Sequence, residues 1–233
     1  MTLIRRFQQL LISNGIALSK HPATHFSSID IQSIFLNQHW IHELGSELKF
    51  VQVGANNGFN GGDPISHLYL ERNWQGLLIE PQPDVFMELQ SSFKDKNNLT
   101  LVNKGISNIS SSLKMYRNPK ENTTASLNKS IVAKQNPNAQ LEELTIDCIP
   151  LSALLHSLNW TDIDILIIDT EGHERQVLES VDFDLHRPKL IQFEHGHLSR
   201  KDLTACFQML TQEKYALHFG GRQNQDSFAI SLM

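Results

Sequence analysis

Cysteine is scarce: the 233-residue chain has two, Cys148 and Cys206. A pair permits one disulfide at most and offers no metal-ligand spacing, which excludes a disulfide scaffold and a cysteine zinc module. Both lie in apolar segments and read as buried, reduced thiols. Long apolar runs are missing too, and nothing approaches the ~20 residues that a membrane-spanning helix needs. No basic run exceeds Arg5-Arg6, and the formal net charge is -5, which argues against an electrostatic grip on nucleic acid. Gln8, Gln9, Ser13 and Asn14 interrupt the only apolar stretch, Leu10-Leu11-Ile12, from which an export signal would have to be built. A cytoplasmic protein is expected, with neither membrane nor nucleic acid as partner.

The length suits one domain, because single cores grow to ~250 residues. Residues 1–48 read as an N-terminal helical extension. Ile4, Phe7, Leu10 and Leu11 form one helix face, and a second helix capped by Ser28 runs to Leu44 before Gly45. From Lys49 to the C-terminus, residues 49–233, strands and helices alternate as a parallel sheet requires.

The chain turns on Lys49-Phe50-Val51-Gln52-Val53-Gly54-Ala55-Asn56-Asn57-Gly58. A β-branched run breaks abruptly into glycines and amides there, as a buried strand does when it ends in a ligand loop. Asp63 and Pro64 then supply an N-cap and a first helical residue. Strand, glycine turn and helix together open a nucleotide-binding α/β unit. The next strand, Gly76-Leu77-Leu78-Ile79, ends in Glu80-Pro81, and an acid at that junction is placed to accept both hydroxyls of a ribose. A dinucleotide would need a second glycine where the loop carries Ala55-Asn56. S-adenosylmethionine carries no phosphate, so amides and backbone groups around Gly54 suit it better.

A third strand covers Leu99 to Asn103, and the turn Lys104-Gly105-Ile106-Ser107 leaves its carboxyl end. Ile106 either packs on a flat base or belongs to the core. Ser112 to Tyr116 reads as a short strand. Polar turn signals such as Asn118-Pro119 and Asn136-Pro137-Asn138 then mark residues 117–142 as a surface loop or a lid over the acceptor. Alternation resumes from Glu143 to Cys148, and Pro150 starts a helix.

The second chemical constellation follows Ile163-Asp164-Ile165-Leu166-Ile167-Ile168, a run suited to the sheet centre. It ends in Asp169-Thr170-Glu171-Gly172-His173-Glu174. Capping of the following helix accounts for Glu174, whereas the strand commits Asp169 to its carboxyl end. A fifth strand ends in Glu194-His195-Gly196-His197. These histidines, with Asp169, Glu171 and His173, are candidates for a divalent ion or for acid-base work on an acceptor hydroxyl. A helix near Asp202 to Leu210 and a hairpin of Tyr215–Phe219 with Ser227–Ser231 close the chain.

Val53-Gly54-Ala55-Asn56-Asn57-Gly58, Trp74-Gln75-Gly76 leading to Ile79-Glu80-Pro81, Asn103-Lys104-Gly105-Ile106-Ser107 and Ile168-Asp169-Thr170-Glu171-Gly172-His173-Glu174 resemble, in order, the motifs of FkbM-type S-adenosylmethionine-dependent methyltransferases. The resemblance implies a Rossmann-like, doubly wound, mostly parallel seven-stranded α/β sheet of the class I methyltransferase type. It implies S-adenosylmethionine held by Gly54, Ala55, Asn56, Asn57, Gly58, Glu80, Pro81, Gly105, Ile106 and Asp169. Asp169, Glu171, His173 and His195 are the candidate catalytic residues. O-methylation of a small hydroxylated metabolite or sugar is the expected activity. A cofactor-binding scaffold without catalysis and a nicotinamide oxidoreductase are the alternatives.

Overall fold

Phe50, Val51 and Val53 favour extended backbone and have little polar competition, and they form a strand that is buried from Phe50 onward. This is β1 (Lys49–Val53) of a computed structural model that describes residues 48–58, 74–220 and 225–233. The expected N-terminal helices and the helix starting at Pro64 lie outside the described residues.

On one side β1 pairs in parallel with β2 (Gln75–Ile79), which pairs with β3 (Leu99–Val102). On its other side lies β8 (Ile165–Ile168), parallel to both β1 and β9 (Leu190–Glu194). All four β8 residues are buried, as expected of a strand covered on both faces. The edge is a hairpin: β11 (Asp226–Ser231) runs antiparallel to β9 and to β10 (Tyr215–Gly220). The sheet order is β10-β11-β9-β8-β1-β2-β3. The chain therefore builds outward from β1 in one direction and resumes at β8 on the other side, which puts the switch point between β1 and β8.

Helices cover both faces. α1 (Pro83–Ser92) turns Leu89 toward Phe50, Leu78 and Ile167. α3 (Leu151–Ser157), α4 (Glu174–Glu179) and α5 (Arg200–Gln212) bury Leu151, Leu155, Val177, Leu178, Cys206 and Leu210 against Val51, Val53, Leu166 and Ile191 on the opposite face. Each such aliphatic side chain contributes ~1.5–3 kcal/mol on burial. Cys148 and Cys206 are free and buried. Among the described residues no helix is long and apolar enough to cross a membrane.

A second sheet, ordered β4-β7-β5-β6, stands beside the first. It contains β4 (Gly105–Ile106), β5 (Ser111–Asn118), β6 (Glu121–Ser126) and β7 (Glu142–Ile149), with Met115, Ala125, Ile146 and Cys148 inside. The reading of 117–142 as an irregular surface loop is corrected here. β5 runs on to Asn118, β6 returns beside it, and α2 (Lys129–Gln135) follows. β6 is an edge strand and α2 is two turns long with only Val132 buried, so neither needs the apolar periodicity that marks longer elements. Asn128, whose side chain accepts from the Ser130 amide, is the N-cap that announces α2.

Candidate active site

The loop after β1 folds onto the end of β2. The amides of Gly54 and Ala55 both donate to the Ile79 carbonyl at 3.0 Å, and Gly54 and Gly58 take positive φ angles of 85° and 79°. At Gly54 a Cβ would lie 1.8 Å from the Asp169 carbonyl oxygen, so glycine is what allows β1 and β8 to close on each other at their carboxyl ends.

Glu80 sits at that junction with 2% of its surface exposed. One carboxylate oxygen accepts from the Asn56 amide at 2.9 Å, and the other accepts from the amide and side chain of Gln82 at 2.9 and 3.2 Å. Burial pushes its carboxyl up to about 7 against those stabilising bonds. Asn103 braces the turn by donating to the carbonyls of Glu80 and Pro81 at 2.8 and 3.1 Å. Behind it Arg117 donates to Gln82, Asp84 and Glu142 at 3.2, 2.7 and 2.8 Å. Sequence reasoning passed over Gln82 and Arg117. Gln82 lies two residues after the acid, but Arg117 comes from a strand of the other sheet, and no local pattern connects it.

Across the switch point, the Asp169 amide donates to the Val53 carbonyl at 2.9 Å, and the residue is exposed at the end of β8. The following turn wraps around Glu174, which is fully buried and accepts from the Thr170 amide and hydroxyl and from the Gly172 amide at 2.9–3.1 Å. Glu174 thus shapes the turn, as its place at the start of α4 suggests. Glu171 takes a φ of 52°, a left-handed conformation that costs ~1 kcal/mol in a residue other than glycine. Its carboxylate reaches His197 Nε2 at 3.1 Å, and Glu194 Oε1 stands 3.9 Å from the same nitrogen. Burial raises the Glu171 carboxyl. Burial, reinforced by Asp169, Glu171, Glu174 and Asp226, pushes Glu194 up to about 9.

α2 covers this group. Gln135 places its amide nitrogen 3.5 Å from Glu171 Oε2 and 3.2 Å from His197 Nε2, and the Ser126 hydroxyl donates to the Glu171 carbonyl at 2.6 Å. Ile131 packs so closely that a Cβ on Gly172 would lie 2.4 Å from its Cδ1.

The remaining expected site residues are dispersed. His173 Nε2 meets the Ser107 hydroxyl at 3.0 Å, and burial lowers its imidazole to about 4, so the ring is neutral near pH 7. His195 turns toward the terminal hairpin, where its Nδ1 lies 2.9 Å from the Ser227 hydroxyl and its ring stands edge-on to Phe219. His197, not His195, joins Glu171. Ile106 is 3% exposed and lies in the core with Val53 and Leu166; Gly105 pairs with Cys148 of β7. Asn56 has its amide on Glu80, and its side chain accepts from the Asn57 amide at 2.8 Å.

The donor set fits a nucleoside that has no phosphate. A buried acid is aligned by the loop that would pass under the ribose, and Asp169 and Glu171 suit a cationic centre beyond it. Comparison with known proteins identifies the family and the fold. The model of the methyltransferase FkbM domain matches residues 52–217. No curated protein matches the chain. A crystal structure of an FkbM methyltransferase from Methylobacillus flagellatus KT is similar with a TM-score of 0.53 at 16% identity, over 79% of this chain and 44% of that one. This chain thus spans less than half the length of that relative. The N-terminal domain of human METTL16 is similar at 11% identity with a TM-score of 0.48, over 99% of this chain and 81% of that chain. The Methanococcus jannaschii fibrillarin pre-rRNA processing protein is similar at 9% identity with a TM-score of 0.46, over 81% and 68%. The sheet order is that of class I methyltransferases, and the family match covers most of the sequence: the chain belongs to the FkbM methyltransferase family.

Proposed function

We propose that the chain binds S-adenosylmethionine and transfers its methyl group to a hydroxyl oxygen of a small metabolite or sugar. The observation that supports this reading is the meeting of three separate strand ends. Glu80 holds the Asn56 amide of the glycine loop, and that loop packs at Gly54 against Asp169. S-adenosylmethionine supplies an electrophilic methyl carbon on a sulfonium.

The residues of the chain do the rest. Glu80 accepts from the ribose hydroxyls with the lone pairs left beside its bonds to Asn56 and Gln82. The glycine loop holds the nucleoside against β1. Asp169 and Glu171 line the far wall, where negative charge favours the sulfonium. Holding donor and acceptor in line supplies ~7–11 kcal/mol of the barrier. Asp169, exposed at the mouth, receives the proton of the acceptor hydroxyl. The net charge of -5 and the absence of a long basic run favour a small acceptor over a nucleic acid.

The test is calorimetry with S-adenosylhomocysteine, followed by transfer of labelled methyl to a panel of polyhydroxylated small molecules. One cofactor per chain is expected. Asp169→Asn should keep that binding and lose ~100-fold or more in transfer rate. No binding at millimolar cofactor would end the proposal, and cofactor binding without transfer to any acceptor would leave a scaffold.

A further inference from the structure

Glu171 comes from the turn after β8, Glu194 from the last position of β9 and His197 from the turn that follows it, yet they present one ligand atom each within 4.8 Å of one another. Two carboxylates and an imidazole are the donor types of a mixed oxygen and nitrogen metal site, and three protein ligands leave positions open for water or substrate. A fourth group stands over them from a third element, because the Gln135 amide of α2 lies 3.2 Å from His197 Nε2 and 3.5 Å from Glu171 Oε2. A half-turn of that amide exchanges its nitrogen for its oxygen and turns a donor into a ligand.

Two further observations ask for a cation. Glu194 Oε2 is a buried carboxylate oxygen with no hydrogen-bond partner among the described residues. Gln192 lies on the same face of β9, one pleat repeat deeper, is 7% exposed, and its carbonyl oxygen, Oε1, also has no partner among the described residues. Buried acceptors in native proteins are nearly always satisfied, and such oxygens cost free energy until something electropositive reaches them. The left-handed backbone at Glu171 adds a strained conformation whose effect is to aim that carboxylate at the cluster.

We propose that Glu171, Glu194 and His197, capped by Gln135, form a divalent-cation site at the carboxyl ends of β8 and β9. The mixed ligand set suits Mn2+ or Zn2+ better than an all-oxygen cation such as Ca2+. The proposal rests on these side chains and not on the identity of the reaction, so its test reads metal alone.

Full-length protein stripped of metal is titrated with Mn2+ in the absence of methyl donor, with free Mn2+ followed by electron paramagnetic resonance. The expected result is one site per chain, accompanied by an upward shift of the melting temperature. Glu194→Gln and His197→Gln should each weaken that site by about tenfold or more and abolish the thermal shift, while S-adenosylhomocysteine binding persists. Glu143→Gln, which removes an exposed carboxylate paired with Lys114, should change neither. His197→Gln carries the test if Glu194→Gln fails to fold. Only weak, salt-sensitive Mn2+ binding, or a site that survives both substitutions, overturns the proposal. Failure of methyl transfer in a protein that still binds Mn2+ would leave this inference standing and remove the functional one.

Discussion

Glu80 carries more of the site than its single negative charge suggests. It is buried, its oxygens align two backbone amides, and the cofactor's ribose is expected to share them. Its carboxyl is raised from 4.5 to about 7, so the folded chain holds this proton more tightly than the unfolded one. The resulting stability is complete below pH 4.5 and is lost as pH climbs through about 7, a change of roughly 3 kcal/mol. Chemical denaturation at pH 5 and pH 7.5 should show wild type losing more stability than Glu80→Gln over that interval; parallel losses would refute the assignment. Cofactor affinity has the opposite trend, because the ionised carboxylate is the better acceptor. Calorimetry should show S-adenosylhomocysteine binding tighten up to about pH 7 and then level off.

The elements depend on a few close approaches. β1 and β8 are parallel neighbours whose following turns touch at Gly54, where the φ of 85° and the Asp169 carbonyl leave no room for a side chain. Gly54→Ala should therefore cost ~3 kcal/mol or more, with a lowered melting temperature and lost cofactor binding. An unchanged melting curve would mean that the turn relaxes freely. The second sheet works differently. β6 and α2 are short and polar, and they are held by Asn128 capping α2, by Ser126 on the Glu171 carbonyl and by Ile131 on Gly172. They cover the acidic turn after β8.

At the scale of the molecule, Arg117 is one of the links between the two sheets. Its guanidinium leaves β5, reaches Asp84 on α1, Glu142 on β7 and Gln82, and through Gln82 supports the carboxylate of Glu80. Arg117→Met should lower stability by ~1–3 kcal/mol and weaken cofactor binding several-fold. Arg117→Lys should not restore either, since one ammonium cannot span three acceptors as a planar fork does. Denaturant titration and calorimetry on both variants check this; full recovery by lysine would reduce Arg117 to a simple charge.

The strands of the main sheet, the glycine loop, Glu80 at the end of β2 and Asp169 at the end of β8 are legible along the chain. Each is a local matter of β-branched runs, of a backbone turn only glycine makes easily, and of an acid stranded after apolar residues. Their order also carries the resemblance to the FkbM methyltransferases. The hairpin and helix within 117–142, the turning of His195 toward Ser227 and the pairing of His197 with Glu171 are not legible in that way. Each depends on which edge or turn from a distant part of the chain arrives alongside. Hydrophobic periodicity constrains a residue's own face, whereas a hydrogen-bond partner is selected only once the layers have packed.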